Sequence, residues 1–448
     1  MVTPETRTAI LTAIDEQFDS AVDLLRAMID EPSVGPWFGE PAEVSGEGGI
    51  QALLRARLEA MGARIDEWEP SAQDLAHHAG GPGYFADRDF TGRPNLVGTI
   101  TPPSVDPEAD SLMFLGHCDV VPGGVGWTKA EPFTSTLVDD RIYGRGACDM
   151  KGGMAAALAA IEAVQRAGVE LSQPLSFGSV TEEETGGMGT LALIDRGYRP
   201  GLGIVIPEPT SLKVAPLCRG ILWGEITIPG KSGHIEIEQP GWRDGGAVDA
   251  IAHGRRLLAA VDELNAAWAE LPEKNHRYMP LPCQMNVAVI DAGTYPSSWA
   301  GSFTIRFDIQ YLPVELDERG GGGLVRAQIE DMLAAFVGED EWLAENPPVL
   351  AWLVDADCGE TADTEPIVTA PLAAMRELGM EPVIEGVTSH TDMGLPIKAG
   401  VPTVTFGPGF LSVAHQPDEY LDLPEYKQAI RVMALMIADL CGAGGDDD

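Results

Sequence analysis

Apolar residues recur along the first sixty positions at intervals of three and four. Ile10, Ile14, Phe18, Val22, Leu25 and Met28 share one face of a helix running from residue 4 to 30, and Pro32 closes it. Ile50, Leu53, Leu54, Leu58 and Met61 mark a second helix that stops before Gly62. From Asn95 the rhythm changes. The short apolar runs Leu96 to Ile100, Leu112 to Leu115, Leu175 to Val180, Leu202 to Ile206 and Val401 to Phe406 read as buried strands. A turn at Asp139-Asp140 and an Ala-rich helix from Gly153 to Gly168 fall between them. Alternating strand and helix predict an α/β architecture, a mainly parallel sheet with helices on both faces.

Near Leu217 the pattern shifts. Ile221 to Ile228 alternates as a half-exposed strand does, and a long helix with Ile251, Leu257, Leu258, Val261 and Leu264 spans Gly245 to Leu271. Strands at Met285 to Ile290 and Phe303 to Leu312 follow, then a helix from Leu324 to Phe336. A sheet with two helices on one face is an α+β unit. Residues 215–358 are therefore expected to form an inserted domain, with 1–214 and 359–448 making up the other. The stretch Glu69 to Arg93 holds Gly80-Gly81-Pro82-Gly83 and reads as loop, with His77 and His78 facing solvent and no ligand pattern beside them.

A chain of 448 residues, 44% of them hydrophobic, is long enough for two domains with separate cores. Its 69 acidic residues against 29 basic give a net charge of −40, which excludes nucleic acid and anionic membrane as partners. A heavily hydrated surface suited to a salt-rich cytoplasm accounts for that charge; a basic substrate is the other reading. The start, Met1-Val2-Thr3-Pro4-Glu5, lacks a basic segment followed by an apolar one, and no apolar run approaches a membrane span, so a cytoplasmic location is expected. Cys118, Cys148, Cys218, Cys283, Cys358 and Cys441 include no CxxC pair and read as free thiols, Cys118 and Cys148 as small buried fillers. The terminal Gly445-Asp446-Asp447-Asp448 reads as a solvated tail.

Chemistry is expected where the strands end, because ligands of open α/β sheets collect beyond the carboxyl ends of the strands. Leu112 to Leu115 runs into Gly116-His117-Cys118-Asp119, where His117 is a candidate metal ligand and Asp119 a partner for its other ring nitrogen. Alone, such a histidine equally fits a hydrogen-bonded loop imidazole. The design recurs, however. Leu175 to Val180 ends in Thr181-Glu182-Glu183-Glu184, Leu202 to Ile206 in Pro207-Glu208-Pro209, and Val401 to Phe406 leads through Gly407-Pro408-Gly409 to His415-Gln416-Pro417-Asp418-Glu419. Asp149 stands just before the Ala-rich helix. Two histidines and several carboxylates form a mixed N/O set suited to zinc, and five ligands exceed one tetrahedral ion. A carboxylate bridging two metals about 3.5–4 Å apart is the economical arrangement.

The strings LGHCDVVP, GRGACDMKGG, EEETGG, PEPT, GKSGH and AHQPDEY stand in order between residues 115 and 420. In these the chain resembles the zinc-dependent amidohydrolases that include acetylornithine deacetylase, succinyl-diaminopimelate desuccinylase, aminoacylase and carboxypeptidase G. The resemblance implies a di-zinc exopeptidase fold with an inserted lid and dimerisation domain, two Zn2+ per chain with Co2+ or another divalent ion as the alternative, and a homodimer formed through the insertion. It makes His117, Asp149, Glu184, Glu208 and His415 the metal ligands, with Asp149 the bridge. Glu183 matches the general base, Asp119 the residue orienting His117, and His234 an imidazole lent by a neighbouring subunit to stabilise the oxyanion. Gly407 and Gly409 are candidates for close backbone approach to substrate, and His390 and Asp392 for substrate contact.

The closing GPG and AHQPDEY look most like acetylornithine deacetylase, so the expected reaction is hydrolysis of an N-acyl amino acid or related small N-acyl compound. Desuccinylases carry an Arg after the Asp in the segment corresponding to Thr391-Asp392-Met393-Gly394-Leu395 and another near Gln310. Neither is present, and Arg306 lies four residues earlier on the same strand. A dipeptidase or carboxypeptidase using the same site is the second reading. A binding protein that kept the fold without the reaction is the third, and metal content measured beside turnover separates it from the others.

Overall fold

The computed structural model describes residues 2–107, 109–338 and 340–443; the acidic stretch Gly445-Asp448 lies outside them. The chain divides into two compact units. The first comprises Met1–Cys218, Gly359–Val387 and Thr391–Asp448, the second Arg219–Cys358 together with Thr388–His390. An antiparallel pair, Leu217–Cys218 with Gly359–Glu360, joins the two chain crossings at the root of the insertion. Its pairing draws residues 215–218 into the first unit, a few positions beyond the boundary expected at 215.

The first unit is built on a six-stranded sheet in the order Arg64–Trp68, Asn95–Ile100, Leu175–Val180, Leu112–His117, Gly203–Ile206, Thr403–Thr405. The last four run parallel to one another, and only Asn95–Ile100 is antiparallel to its neighbours. Leu112–His117, Leu175–Val180 and Gly203–Ile206 are buried along their whole length, which is why their sequences are continuous apolar runs without alternation. Helices cover both sides. Gly116 faces Met154 of the helix Lys151–Arg166, while Gly178, in register with Leu115, faces Leu193 of the helix Met188–Asp195 on the other side. The helices Pro4–Asp30 and Leu423–Cys441 pack against Lys151–Arg166. Four parallel strands thus finish along one sheet edge, one of them ending in His117 and the others running into Thr181, Pro207 and Phe406.

The second unit has a four-stranded antiparallel sheet in the order Met285–Ala292, Ser302–Tyr311, Gly220–Pro229, Val349–Ala356. Phe303, Ile305, Phe307, Ile309 and Tyr311 are buried at every second position, so one face carries the core. The helix expected from Gly245 starts at Ala250, where the Asp249 side chain caps it by accepting from the Ile251 N–H at 3.0 Å. It buries Leu257, Val261 and Trp268, and the helix Gly323–Gly338 buries Val325, Ile329, Leu333 and Phe336. Among the described residues no helix is long and apolar enough to cross a membrane.

Candidate metal centre

His117 closes its strand and is 2% exposed. Its Nδ1 lies 2.9 Å from the carbonyl oxygen of Asp119 and donates to it, which leaves Nε2 a bare lone pair. That Nε2 is buried with no hydrogen-bond partner, and it faces Glu208 Oε1 at 3.3 Å and Asp149 Oδ1 at 3.4 Å. Lone pairs converge in a buried place only when a cation stands among them. His415, an exposed imidazole, faces the other side of Asp149: its Nε2 is 3.3 Å from Asp149 Oδ2 and 3.1 Å from Glu184 Oε2. Asp149 thus turns one oxygen to each histidine, and each histidine has its own glutamate. One nitrogen and one carboxylate on either side of a shared aspartate fit a pair of divalent cations, which answers the five-ligand excess read from the sequence.

The proton affinities tell the same story of missing positive charge. Burial opposes a charged His117, yet Glu208, Asp119 and Asp149 outweigh it and hold its pKa well above the ordinary range. Hydrogen bonds to Asp149 and Glu184 raise His415 to about 10. Burial pushes Glu208 up to about 8, helped by Asp149, and raises Glu184 as well. Asp149 moves the other way: burial would raise it, but His117 and His415 prevail and lower it.

Asp119 serves both sides of this cluster. Its carbonyl orients His117, and its buried carboxylate accepts the backbone N–H groups of Glu183 and Glu184, each at 3.2 Å. Asp119 thus meets the second ring nitrogen through its carbonyl, while its Oδ1 is 3.6 Å from Nδ1 and is aimed at the glutamates. The three consecutive acids do not form a solvated run. Glu182 adopts φ 68°, is fully buried, and lies 2.5 Å from Arg88 Nε; burial raises its carboxyl to about 8 against the pull of Arg88 and Arg93. Glu184 faces His415. Glu183 keeps a carboxylate free beside the centre, its Oε2 3.8 Å from His117 Nε2, and burial raises its pKa well above the usual carboxylate range. One recess is lined by His117, Glu183, Glu208 and Asp392 with apolar Leu115 and Ile206. Asp392 is buried, receives the Thr190 hydroxyl at 2.5 Å, and is raised to about 6 by burial.

The string AHQPDEY has a task for each acid. His415 sits in the left-handed region at φ 59°. Asp418 holds its loop by accepting from the Thr128 and Lys129 N–H groups at 2.7 and 2.8 Å. Glu419, fully buried, accepts from the Cys148 and Asp149 N–H groups at 2.8 and 3.1 Å and pairs with Arg145 at 2.5 Å. Glu419 therefore fixes the backbone of Asp149. Its role had no separate sequence signal beyond membership of that string, and neither did the placement of Asp392 beside Glu183.

Gly407 and Gly409 both stand where neighbouring chain crowds the backbone. A Cβ on Gly407 would stand 2.5 Å from the Pro207 carbonyl oxygen and 2.6 Å from that of Glu208, and one on Gly153 would stand 1.6 Å from Pro207 O. The two glycines grip the backbone that presents Glu208. Gly409, at φ +105°, packs on Cys148 and donates its N–H to Glu425 Oε1 at 3.0 Å. Cys118 and Cys148 are buried free thiols whose pKa is pushed up by burial, so neither offers a thiolate. His234 and His390 belong to the second unit. His234 is exposed, and its Nδ1 accepts the Glu236 N–H at 3.3 Å. His390 Nδ1 lies 3.0 Å from the Asp357 carbonyl, and burial lowers it to about 4.

The profile of the peptidase family M20/M25/M40 matches residues 113–439. The chain is similar to the N-formyl-4-amino-5-aminomethyl-2-methylpyrimidine deformylase of Bacillus subtilis, 28% identical over 446 residues that cover 96% of each. It is also similar to the acetylornithine deacetylase of Myxococcus xanthus, 29% identical over 335 residues, 74% of this chain and 80% of the other. Among solved structures, a dinuclear metal-binding peptidase from Bacillus subtilis superimposes with a TM-score of 0.60 at 15% identity, covering 94% of this chain and 98% of that one. With ligand-bearing strand ends, a shared aspartate and a family match over most of its length, this chain belongs to peptidase family M20, the metal-dependent hydrolases of amide bonds.

Proposed function

We propose that this chain hydrolyses the amide bond of a small N-acyl compound, formyl or acetyl being the acyl group, with two zinc ions held by His117, Asp149 and Glu208 on one side and by His415, Asp149 and Glu184 on the other. The observation that carries this is the division of Asp149, one oxygen toward each histidine–glutamate pair. When bound, such a pair lowers the pKa of a coordinated water to about 7 and polarises an acyl carbonyl. Glu183 takes the proton from the attacking water at its free carboxylate and delivers it to the departing nitrogen. Its raised proton affinity, set by burial, suits a group that must both accept and release that proton near neutral pH. Asp119 keeps Glu183 and Glu184 in their separate places.

Two features support a small neutral or cationic amine over an anionic one. Among the described residues of the first unit, the cations bordering the centre are engaged: Arg145 with Glu419, Arg88 with Glu182, Arg93 with Glu47, and Lys151 with the carbonyls of Met28 and Glu31. The alignment with the pyrimidine deformylase covers 96% of both chains, whereas that with the deacetylase covers 74% of this one. We further propose that two copies pair through the second unit, whose outer strand Met285–Ala292 exposes Val289 and Ile290, and that His234 donates a hydrogen bond to the developing oxyanion. A panel of N-formyl, N-acetyl and N-succinyl amines and amino acids beside dipeptides, run before and after chelation, tests the reaction. Turnover of formyl or acetyl substrates that disappears on chelation and returns with two equivalents of zinc is expected. Preference for dipeptides, undiminished turnover without metal, or full metal loading with no turnover of any member overturns it.

A further inference from the structure

One more group of metal-ligating side chains stands apart from the paired centre among the described residues. His77 and His78 end the short turn Asp74–His78 inside the loop 69–93, and Asp195 ends the helix Met188–Asp195, more than a hundred residues away in sequence. The two histidines face solvent as expected, His77 more than His78, but they do not lack a ligand pattern, because the third member comes from a distant helix. Both imidazoles aim at one oxygen: His77 Nε2 is 3.0 Å and His78 Nε2 3.2 Å from Asp195 Oδ1. His77 Nδ1 lies 3.1 Å from the Asp74 carbonyl and donates to it, the contact that fixes the tautomer of a metal-bound imidazole. The Nε2 that remains is a lone pair pointed at a carboxylate oxygen.

Something positive belongs between them. Protonating both rings would set two cations with centroids 4.1 Å apart beside one carboxylate. A single divalent ion satisfies all three donors at once. Ligands of a tetrahedral ion bound at about 2.0–2.1 Å are roughly 3.3 Å from one another, a few tenths of an ångström from the separations found. The elements carrying the donors are already fixed. Leu75, inside the same turn, is 3% exposed and packs with Met188, Leu191 and Ala192 of the helix in one apolar cluster, so little conformational freedom is lost on binding.

We propose that His77, His78 and Asp195 form a surface site for one divalent transition metal, zinc, nickel or copper, completed by water and independent of the paired centre. Bound there, the ion ties the loop 69–93 to the helix whose N-terminal end follows Glu183 and Glu184. The same loop already donates from Arg88 to the Thr185 carbonyl at 3.2 Å. The metal is a clamp and takes no part in the reaction.

The test is calorimetric titration of the zinc-loaded, full-length protein with Ni2+. One further equivalent is expected in the wild type, accompanied by a rise in thermal midpoint. Both should vanish in His77→Gln/His78→Gln, and Asp195→Asn should weaken binding roughly tenfold or more. Asp149→Ala should still take up that equivalent, which separates this site from the paired one. Because His77 is exposed and His78 only half-buried, the double variant should keep the wild-type midpoint in the absence of added nickel. A Cu2+ spectrum supplies a second reading, with hyperfine splitting from two imidazole nitrogens in the wild type and none in the double variant. Identical isotherms for wild type and double variant, or loss of the extra equivalent in Asp149→Ala alone, would overturn the proposal.

Discussion

Glu183 and Glu184 differ in fate although they are neighbours, because one carboxylate, that of Asp119, pins both backbone amides while the side chains part. Glu184 is committed to His415, and Glu183 is not committed to an imidazole at ligand distance. Glu183→Gln keeps the shape and removes the carboxylate proposed to carry the proton, so kcat is expected to fall by about 10²–10⁴ with the metal content of the wild type. Metal analysis beside initial rates checks this, and loss of metal would make Glu183 a ligand instead. His234→Ala should likewise lose most of kcat and keep both metals. The residues gathered at the centre were visible in the sequence because each polar side chain interrupts an apolar run or immediately precedes a helix. Glu182 and Glu419 were not visible as parts of it, and Asp392 only as a candidate for substrate contact. Each is buried by a partner far away in the chain, Arg88, Thr190 or Arg145, and burial of an acid has no local signature.

At the scale of elements, the segment bearing Asp149 is held from two directions. Glu419 binds its backbone from one side, and from the other Lys151, the first residue of the helix Lys151–Arg166, sends a fully buried ammonium to the carbonyls of Met28 and Glu31, both at 2.9 Å. Those are terminal carbonyls of the helix Pro4–Asp30 and of its cap, which no backbone N–H of that helix can reach. Lys151→Met fills similar space and leaves both acceptors buried and unpaired, so a loss of about 1–3 kcal/mol is expected, read as a lower urea midpoint at unchanged slope. A midpoint equal to wild type would mean water replaces the ammonium. The helices were legible because their period is clean, and the parallel strands because each is a short apolar run that ends at polar or turn-forming residues. Val349–Ala356 was not, since Val349-Leu350-Ala351-Trp352-Leu353-Val354 is apolar without interruption, although as the sheet's edge strand it leaves Val349 and Leu353 exposed.

For the whole molecule the governing quantity is charge. Even if every one of the 29 basic residues neutralised an acid, 69 − 29 = 40 acidic side chains would remain without a countercharge on the chain. The ion pairs at the surface, such as Arg55 with Glu59 and Arg243 with Glu341, lose strength as salt is added, but exposed pairs of this kind are weak to begin with. Repulsion among the surplus carboxylates is spread over the entire surface and is screened by the same ions, the Debye length shrinking from about 10 Å at 0.1 M to about 3 Å at 1 M. Unfolding separates these charges, so screening removes a destabilisation that the folded state bears more heavily. The two terms have opposite signs, and the surplus decides between them. The thermal midpoint is therefore expected to climb with NaCl between 0.1 and 1 M, at about 2–4 °C for each kcal/mol of repulsion relieved. Because the two units have separate cores, two transitions are allowed, and both should move upward. A midpoint that falls over this range would show that paired charges, few as they are, outweigh the unpaired ones.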